Sequence, residues 1–241
     1  HARYGGRCSV VSSGPAGEML LSAATLAVTD VEGRPSRHAA RGGLGAVMAS
    51  KRVKAIVIER EGGESPPLAD GGTFSDAARD WARVLMETKA TLRDYGTANL
   101  VGPMNALSAL PVRNFRLGRF DGAERISGET LRATQLSRGG ILGQPCHPGC
   151  AIRCSNVYQG ADGGYLTAGL EYESIALLGA NCCIDDLDTI ARLERTCDEL
   201  GLDTMEIGNA LAVAMEAGVI PFGDGEGALG LLEEVRRGSP L

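Results

Sequence analysis

The chain has no surplus of basic residues: 24 Lys and Arg stand against 30 Asp and Glu, a formal net charge of −6 at neutral pH. That removes the electrostatic footprint of a phosphate-neutralising protein, so no nucleic acid is expected as a partner. No run approaches the ~20 apolar residues that a spanning helix needs, so no membrane span is expected. Residues 1–12 contain no apolar core of signal-peptide length. Seven cysteines, an odd number that includes the adjacent Cys182 and Cys183, make no disulfide framework, and a chain of 241 residues needs no such staples. These absences together predict a reduced, cytoplasmic setting. No internal repeat is apparent.

What is present reads as a folded protein. At 44% hydrophobic residues the chain can bury one large core or two smaller ones. Thirty-four glycines exceed what a plain helical bundle requires and predict several backbone-shaped loops. Residues 8–12 and 53–58 are short β-prone runs. Residues 61–72 are rich in Gly and Pro and predict a linker. Beyond it the pattern turns helical. Phe74, Ala77, Ala78, Trp81, Val84, Leu85, Thr88 and Leu92 recur at three- and four-residue intervals until Gly96. Leu187, Ile190, Leu193, Cys197 and Leu200 form a second such face, opened by Asp185-Asp186 and stopped by Gly201. Asp203, three residues before Glu206, caps a third helix that runs to Gly218, and a fourth is predicted from about Glu226 to Arg236. The fold class is therefore α+β, with residues 1–61, a linker at 62–72 and a mainly helical region at 73–241. Within the last, residues 94–145 and the cysteine loop are expected to be irregular. The chain starts at His1 and stops just after a helical pattern, so an internal fragment is expected.

Two segments carry chemistry. Cys146, Cys150 and Cys154 lie within nine residues, and Pro145, Pro148 and Gly149 keep that stretch looped. Short-spaced thiolates of this kind hold iron–sulfur clusters, with a fourth ligand often distant in sequence. Zinc tolerates similar loops, and ordinary buried thiols are the third alternative. The second segment is glycine-rich. Gly43-Leu-Gly45 lacks the third glycine of a dinucleotide fingerprint and precedes a strand instead of following one; Lys51 follows Ser50, so it is no P-loop. What remains is a pliable backbone between Arg37 and Arg41, able to approach an anion or simply to make a tight connection.

Several blocks now resemble one family. Arg41-Gly-Gly-Leu-Gly-Ala-Val-Met-Ala-Ser-Lys-Arg-Val-Lys-Ala-Ile56 is similar to the signature of the aldehyde:ferredoxin oxidoreductases, which are tungsten- or molybdenum-pterin enzymes. Residues 13–18, 111–115, 122–129, the cysteine loop, 171–174, 178–187 and 198–204 resemble further family blocks in the family's order.

The resemblance implies the end of an N-terminal β-rich, pterin-cradling domain followed by most of a helical domain, both from a longer protein. It makes Cys146, Cys150 and Cys154 three ligands of a [4Fe–4S] cluster whose fourth ligand lies outside this chain. The family spacing is Cys-x2-Cys-x3-Cys, whereas the first gap here is three residues. Arg37, His38 and Ala40 align with the segment that meets the pterin phosphates and a bridging Mg2+, although the family usually has Ala and Gly at the last two positions. Asp198, Leu202 and Asp203 belong to its Asp-x-x-Gly-Leu-Asp pterin motif, and Glu173 matches its active-site glutamate. Arg192 stands where some members place a glutamate ligand to iron, so that iron is not expected. The implied reaction oxidises a small aldehyde to a carboxylic acid, with electrons leaving for ferredoxin or an iron–sulfur partner subunit; a homodimer is compatible. Two rivals stand beside it. One is a zinc-stabilised structural module, which needs a fourth local donor that His147, adjacent to Cys146, is poorly placed to give. The other is an inactive fragment of such an oxidoreductase.

Overall fold

The computed structural model describes residues 8–39, 41–59 and 65–238. Its first layer is an antiparallel sheet of β1 (Cys8–Ser13), β2 (Leu26–Val28), β3 (Arg37–Ala39) and β4 (Ala55–Glu59), in the order β3-β2-β1-β4. β1 and β4 are the two runs expected from β-propensity. β2 and β3 are three residues each, too short for a periodic signal, and exist because they pair in register with β1 and with each other. Two helices, α1 (Pro15–Glu18) and α2 (Leu44–Ser50), pack together beside the sheet.

The second layer is mainly helical, as expected, with one addition. Helices α3 (Gly71–Thr88), α4 (Ala90–Tyr95), α5 (Val101–Ala106) and α6 (Gly128–Arg138) precede a three-stranded antiparallel sheet. That sheet, β5 (Ile141–Gln144), β6 (Ser155–Gln159) and β7 (Tyr165–Ala168), carries the cysteine loop between β5 and β6. The expectation of irregular structure over residues 94–145 is thus corrected: α5 and α6 lie there, and α6 is held by a Ser127 cap and closed by Gly139 at φ 73°. The helix predicted from Phe74 to Leu92 is interrupted at Lys89, which separates α3 from α4.

The core gathers on the remaining helices. A short helix α7 (Tyr172–Ser174) runs into a fully buried π-helical turn, Ile175–Gly179. Against it pack α8 (Leu187–Leu200) and α9 (Thr204–Glu216), and α10 (Gly225–Arg237) packs on α8. Ile175, Leu178, Ile190, Leu193 and Leu200 are fully buried, together with Cys182 and Cys197, which serve here as small hydrophobes. The Asp186 carboxylate accepts from Thr189 N at 2.8 Å and opens α8; Gly201, at φ 73°, closes it.

The two layers meet along a backbone seam. Thr25 N donates to Gly201 O at 2.8 Å, and Asp203 N donates to Ala23 O at 2.9 Å, around an Ala24–Leu202 bridge. Gly14 lies flat on this corner: a Cβ there would come within 2.7 Å of Leu200 O and 3.0 Å of the Gly201 Cα. Gly14→Ala should therefore destabilise the fold by about 1–3 kcal/mol through overpacking. Gly102→Ala, in α5 with open space around it, should be neutral or stabilising by up to about 1 kcal/mol. Denaturant unfolding of both variants checks the pair.

Candidate functional site

A cleft of about 320 Å3 opens at this seam. β3 contributes Arg37 and His38, the segment just after it Arg41, α7 and its approach Glu171 and Glu173, α8 Glu194 and Asp198, and the turn into α9 Leu202 and Asp203. Arg37, His38, Glu173, Asp198, Leu202 and Asp203, singled out from separate stretches of sequence, thus line one cavity. Ala40 lies outside the described residues.

His38 is set by the β2–β3 register, opposite Ala27. Its Nδ1 is 2.6 Å from the Thr25 hydroxyl, and its Nε2 stands 3.2 Å from Asp198 Oδ1 without making a hydrogen bond. Burial pulls the His38 imidazole down to about 4. Burial pushes the Asp198 carboxyl up to about 8, against the pull of Arg195 and Arg37 and helped by Glu199. Near neutral pH both groups are uncharged, so their proximity is no ion pair.

Arg37 reaches the other way. Its Nη2 donates to Gln144 Oε1 at 3.0 Å, at the end of β5 and two residues before Cys146, while its buried Nε has no partner. Gly169 permits this passage, since a Cβ there would sit 2.7 Å from Arg37 Nη1. The two candidate carboxylates near α7 differ sharply. Glu171 accepts from the Thr97 hydroxyl at 2.6 Å, and that hydroxyl oxygen accepts from Tyr172 N at 2.8 Å, so Glu171 is committed to holding the helix start. Glu173 is partly exposed; among the described residues only Arg41 Nη2 comes near, at 3.7 Å, and no hydrogen bond holds its oxygens. Asp203 caps α9 through Met205 N at 3.3 Å while its own N–H belongs to the seam.

One residue escaped the sequence reading. Glu194 is buried on α8, one turn before Asp198, and burial holds its carboxyl well above the usual range, with the charges of Asp198 and Glu171 adding. Its spacing of four from Asp198 was the available signal, but on an amphipathic helix a lone glutamate reads as a solvated face.

The cysteine loop folds back on a tight turn. Cys150 N donates to His147 O at 3.2 Å, with Pro148 and Gly149 (φ 83°) between them, the residues a type II turn favours. This turn brings donor atoms of Cys146, His147 and Cys150 within 4.8 Å of one another, with Cys154 outside that triangle. The expectation that His147 is poorly placed is thereby corrected: the turn reverses the chain and carries the ring alongside both sulfurs. Burial pushes the Cys146 thiol up. At Cys150 burial also pushes up, but hydrogen bonds, led by Arg153 N at 3.4 Å, outweigh it and the thiol ends lower. Cys154 is raised by burial, then by Glu171 and the other two thiolates.

The donor set fits the implied groups. Two thiols and an imidazole converging at the turn suit a thiophilic metal. In the cleft, Arg37 Nε, His38 Nε2 and Glu194 Oε2 are buried without hydrogen-bond partners, as is Ser155 Oγ beside Gly169. Each costs about 1–3 kcal/mol unless a ligand satisfies it, which a pterin rich in donors and acceptors would.

Proton linkage gives a direct check. Between pH 4 and 6.5 the folded state holds a proton on Asp198 that the unfolded state lacks, while the unfolded state holds one on His38 that the folded state lacks. These slopes cancel. From pH 6.5 to 8 His38 no longer offsets Asp198, whose contribution alone makes stability fall with rising pH by about 2 kcal/mol, at 1.36 kcal/mol per unit. Glu194, also raised, acts with the same sign. Urea unfolding at pH 6.5 and 8 should show this loss, and Asp198→Asn should make it clearly smaller.

Comparison with known proteins gives the same picture at the level of family. Residues 1–60 match the description "Aldehyde ferredoxin oxidoreductase, N-terminal domain" and residues 76–239 match "Aldehyde ferredoxin oxidoreductase, domains 2 & 3". The tungsten-containing aldehyde ferredoxin oxidoreductase of Thermococcus kodakarensis is 41% identical over 210 residues, covering 86% of this chain and 33% of that protein. Its counterpart in Pyrococcus furiosus is 40% identical, covering 87% and 33%. The WOR-like subunit of an aliphatic sulfonate oxidoreductase from the same organism is 33% identical over 74% of this chain and 28% of its own length. The active-site complex BamBC of benzoyl coenzyme A reductase shares the fold, with a TM-score of 0.70 at 19% identity over 95% of this chain and 36% of that one. The chain spans about a third of the length of the curated relatives it matches. With both family descriptions met in order, the chain belongs to the aldehyde ferredoxin oxidoreductase family.

Proposed function

We propose that this chain is the middle part of a cytoplasmic oxidoreductase that converts a small aldehyde to a carboxylic acid at a tungsten- or molybdenum-bispterin centre. Electrons leave for ferredoxin or an iron–sulfur partner subunit. In this reading residues 1–61 end the cofactor-cradling domain, 62–72 link, and 73–241 form the helical domain. The observation that carries it is the convergence of Arg37, His38, Glu173, Asp198, Leu202 and Asp203 on one cleft at the seam between the layers.

Arg37, His38 and Ala40 would hold the pterin phosphates and Mg2+, and Asp198, Leu202 and Asp203 the ring. Cys146, Cys150 and Cys154 would hold a [4Fe–4S] cluster. When bound, the metal–pterin centre supplies a two-electron acceptor and the cluster a one-electron acceptor. The chain's own contribution is positional and protonic. Arg37 ties the cleft to the base of the cysteine loop through Gln144. Glu173, with no hydrogen bond to its oxygens among the described residues and Arg41 nearby, takes the proton released as water adds to the carbonyl carbon. The balance is closed: aldehyde and water yield acid, two protons and two electrons.

A second reading rests on the cysteine turn alone. Donors of Cys146, His147 and Cys150 within 4.8 Å of one another suit a single tetrahedral ion, so a zinc-stabilised module is the rival. Metal and sulfide analysis of the anaerobically purified full-length protein separates the two. About four irons and four sulfides with one tungsten or molybdenum per chain is the expected result. Zinc without sulfide, tungsten or molybdenum would sink the oxidoreductase reading.

Glu173→Gln should lower kcat for aldehyde oxidation by ~10²–10⁴-fold while leaving iron and tungsten content unchanged. Steady-state rates set beside the metal content check this.

A further inference from the structure

Glu194 is a buried acid for which the fold provides only half a set of partners. It sits on α8, among the residues that line the cleft, and is 4% exposed. One oxygen, Oε1, accepts from the Ser174 hydroxyl at 3.3 Å, and that hydroxyl lies 3.1 Å from the Thr204 hydroxyl. The other oxygen, Oε2, is fully buried and has no hydrogen-bond partner among the described residues. Nature rarely leaves such a group unmatched in a core, because every buried polar atom without a partner opposes folding.

The surroundings say which way the free oxygen serves. Ser174 follows Glu173 directly, and Thr204 follows Asp203, so the Oε1 side is pinned to the two segments that frame the cleft. This fixes the rotamer and leaves Oε2 preorganised. Asp198 lies four residues on, on the same helical face, and also lines the cleft. No Lys or Arg reaches the carboxyl within ion-pair distance among the described residues; Arg37 acts on it only through its field. A neutral carboxyl presents one donor and one acceptor side by side. That pattern complements the edge of a nitrogen heterocycle that alternates ring nitrogens with amide and amino groups, which is the edge a pterin offers.

We propose that Glu194 is a cofactor-binding residue, its free carboxyl oxygen hydrogen-bonding the ring of the bound pterin alongside Asp198. This rests on the oxidoreductase reading above. Glu194 therefore both grips the ring and, through Ser174 and Thr204, ties the end of α7 and the start of α9 to it.

The test uses the full-length protein loaded with its native cofactor, and follows pterin retained per chain after dilution, assayed as its fluorescent oxidation product, with tungsten or molybdenum by mass spectrometry. Glu194→Asp, which withdraws the carboxyl by one methylene, and Glu194→Leu, which removes it, should each release pterin roughly tenfold faster or more, the factor expected for one buried hydrogen bond. Glu194→Gln, which keeps a donor and an acceptor, should stay within about threefold of wild type. The cofactor-stripped Leu variant should melt at or above the wild-type temperature, because an unmatched buried acid has been replaced by a hydrocarbon. Wild-type retention in both the Asp and Leu variants would overturn the proposal. So would a fall in the melting temperature of the stripped Asp variant matching its loss of pterin, which would make the role purely structural. A wild-type protein that carries no pterin would fail at the earlier reading, whereas a loaded wild type with unaffected variants fails only here.

Discussion

The structure depends on a few backbone atoms at one corner. Thr25 N to Gly201 O and Asp203 N to Ala23 O join the N-terminal sheet to the junction of α8 and α9, with Gly14 lying against Gly201. No side chain is needed to make this joint, and none fits. Because it is made of main chain, it fixes the height of β3 against α8 to within a hydrogen bond. That is why His38, from one layer, stands 3.2 Å from Asp198 in the other. A joint through flexible side chains would leave the cleft free to widen; this one sets its width.

The same corner explains the electrostatics. The cleft is walled by α8, whose inner face is core, so its carboxyls are stripped of water on the protein side and have few cations to replace it. Asp198 and Glu194 are pushed toward their neutral forms, and His38 likewise. Arg37 is the charged group that bridges this neutral interior to the cysteine loop, by way of Gln144, which in turn donates to Glu32 at 2.7 Å. The cleft and the cysteine loop are thus joined through the Arg37–Gln144 hydrogen bond at the end of β5.

Much of this was legible in residues. The caps were: Asp186, Asp203 and Gly201 do what their types and spacing predicted, because a cap is a local bargain between one side chain and one helix end. The cleft residues were legible through family resemblance, since spacing alone could not bring His38 of β3 to Asp198 of α8, 160 positions later. Three things were not. β2 and β3 carry no pattern of their own and form by pairing. The three-stranded sheet under the cysteine loop was hidden by the glycines and prolines of the loop it supports. Glu194 looked like a surface charge until the packing of α7 and α9 against α8 enclosed it.

The amphipathic helix α3 buries none of its residues among the described residues. Its Trp81 is 63% exposed and Phe74 57%, and no residue of the helix is buried. On β4, Ile56 and Ile58 share one face and are about as exposed. A sequence keeps such apolar faces in register only when something covers them, because large exposed patches on a finished surface invite association. The core around α8, by contrast, is complete: Leu193, Cys197 and Leu200 are fully enclosed. The layer that holds the cleft closes on itself at the seam, while β4 and α3 leave their apolar faces open.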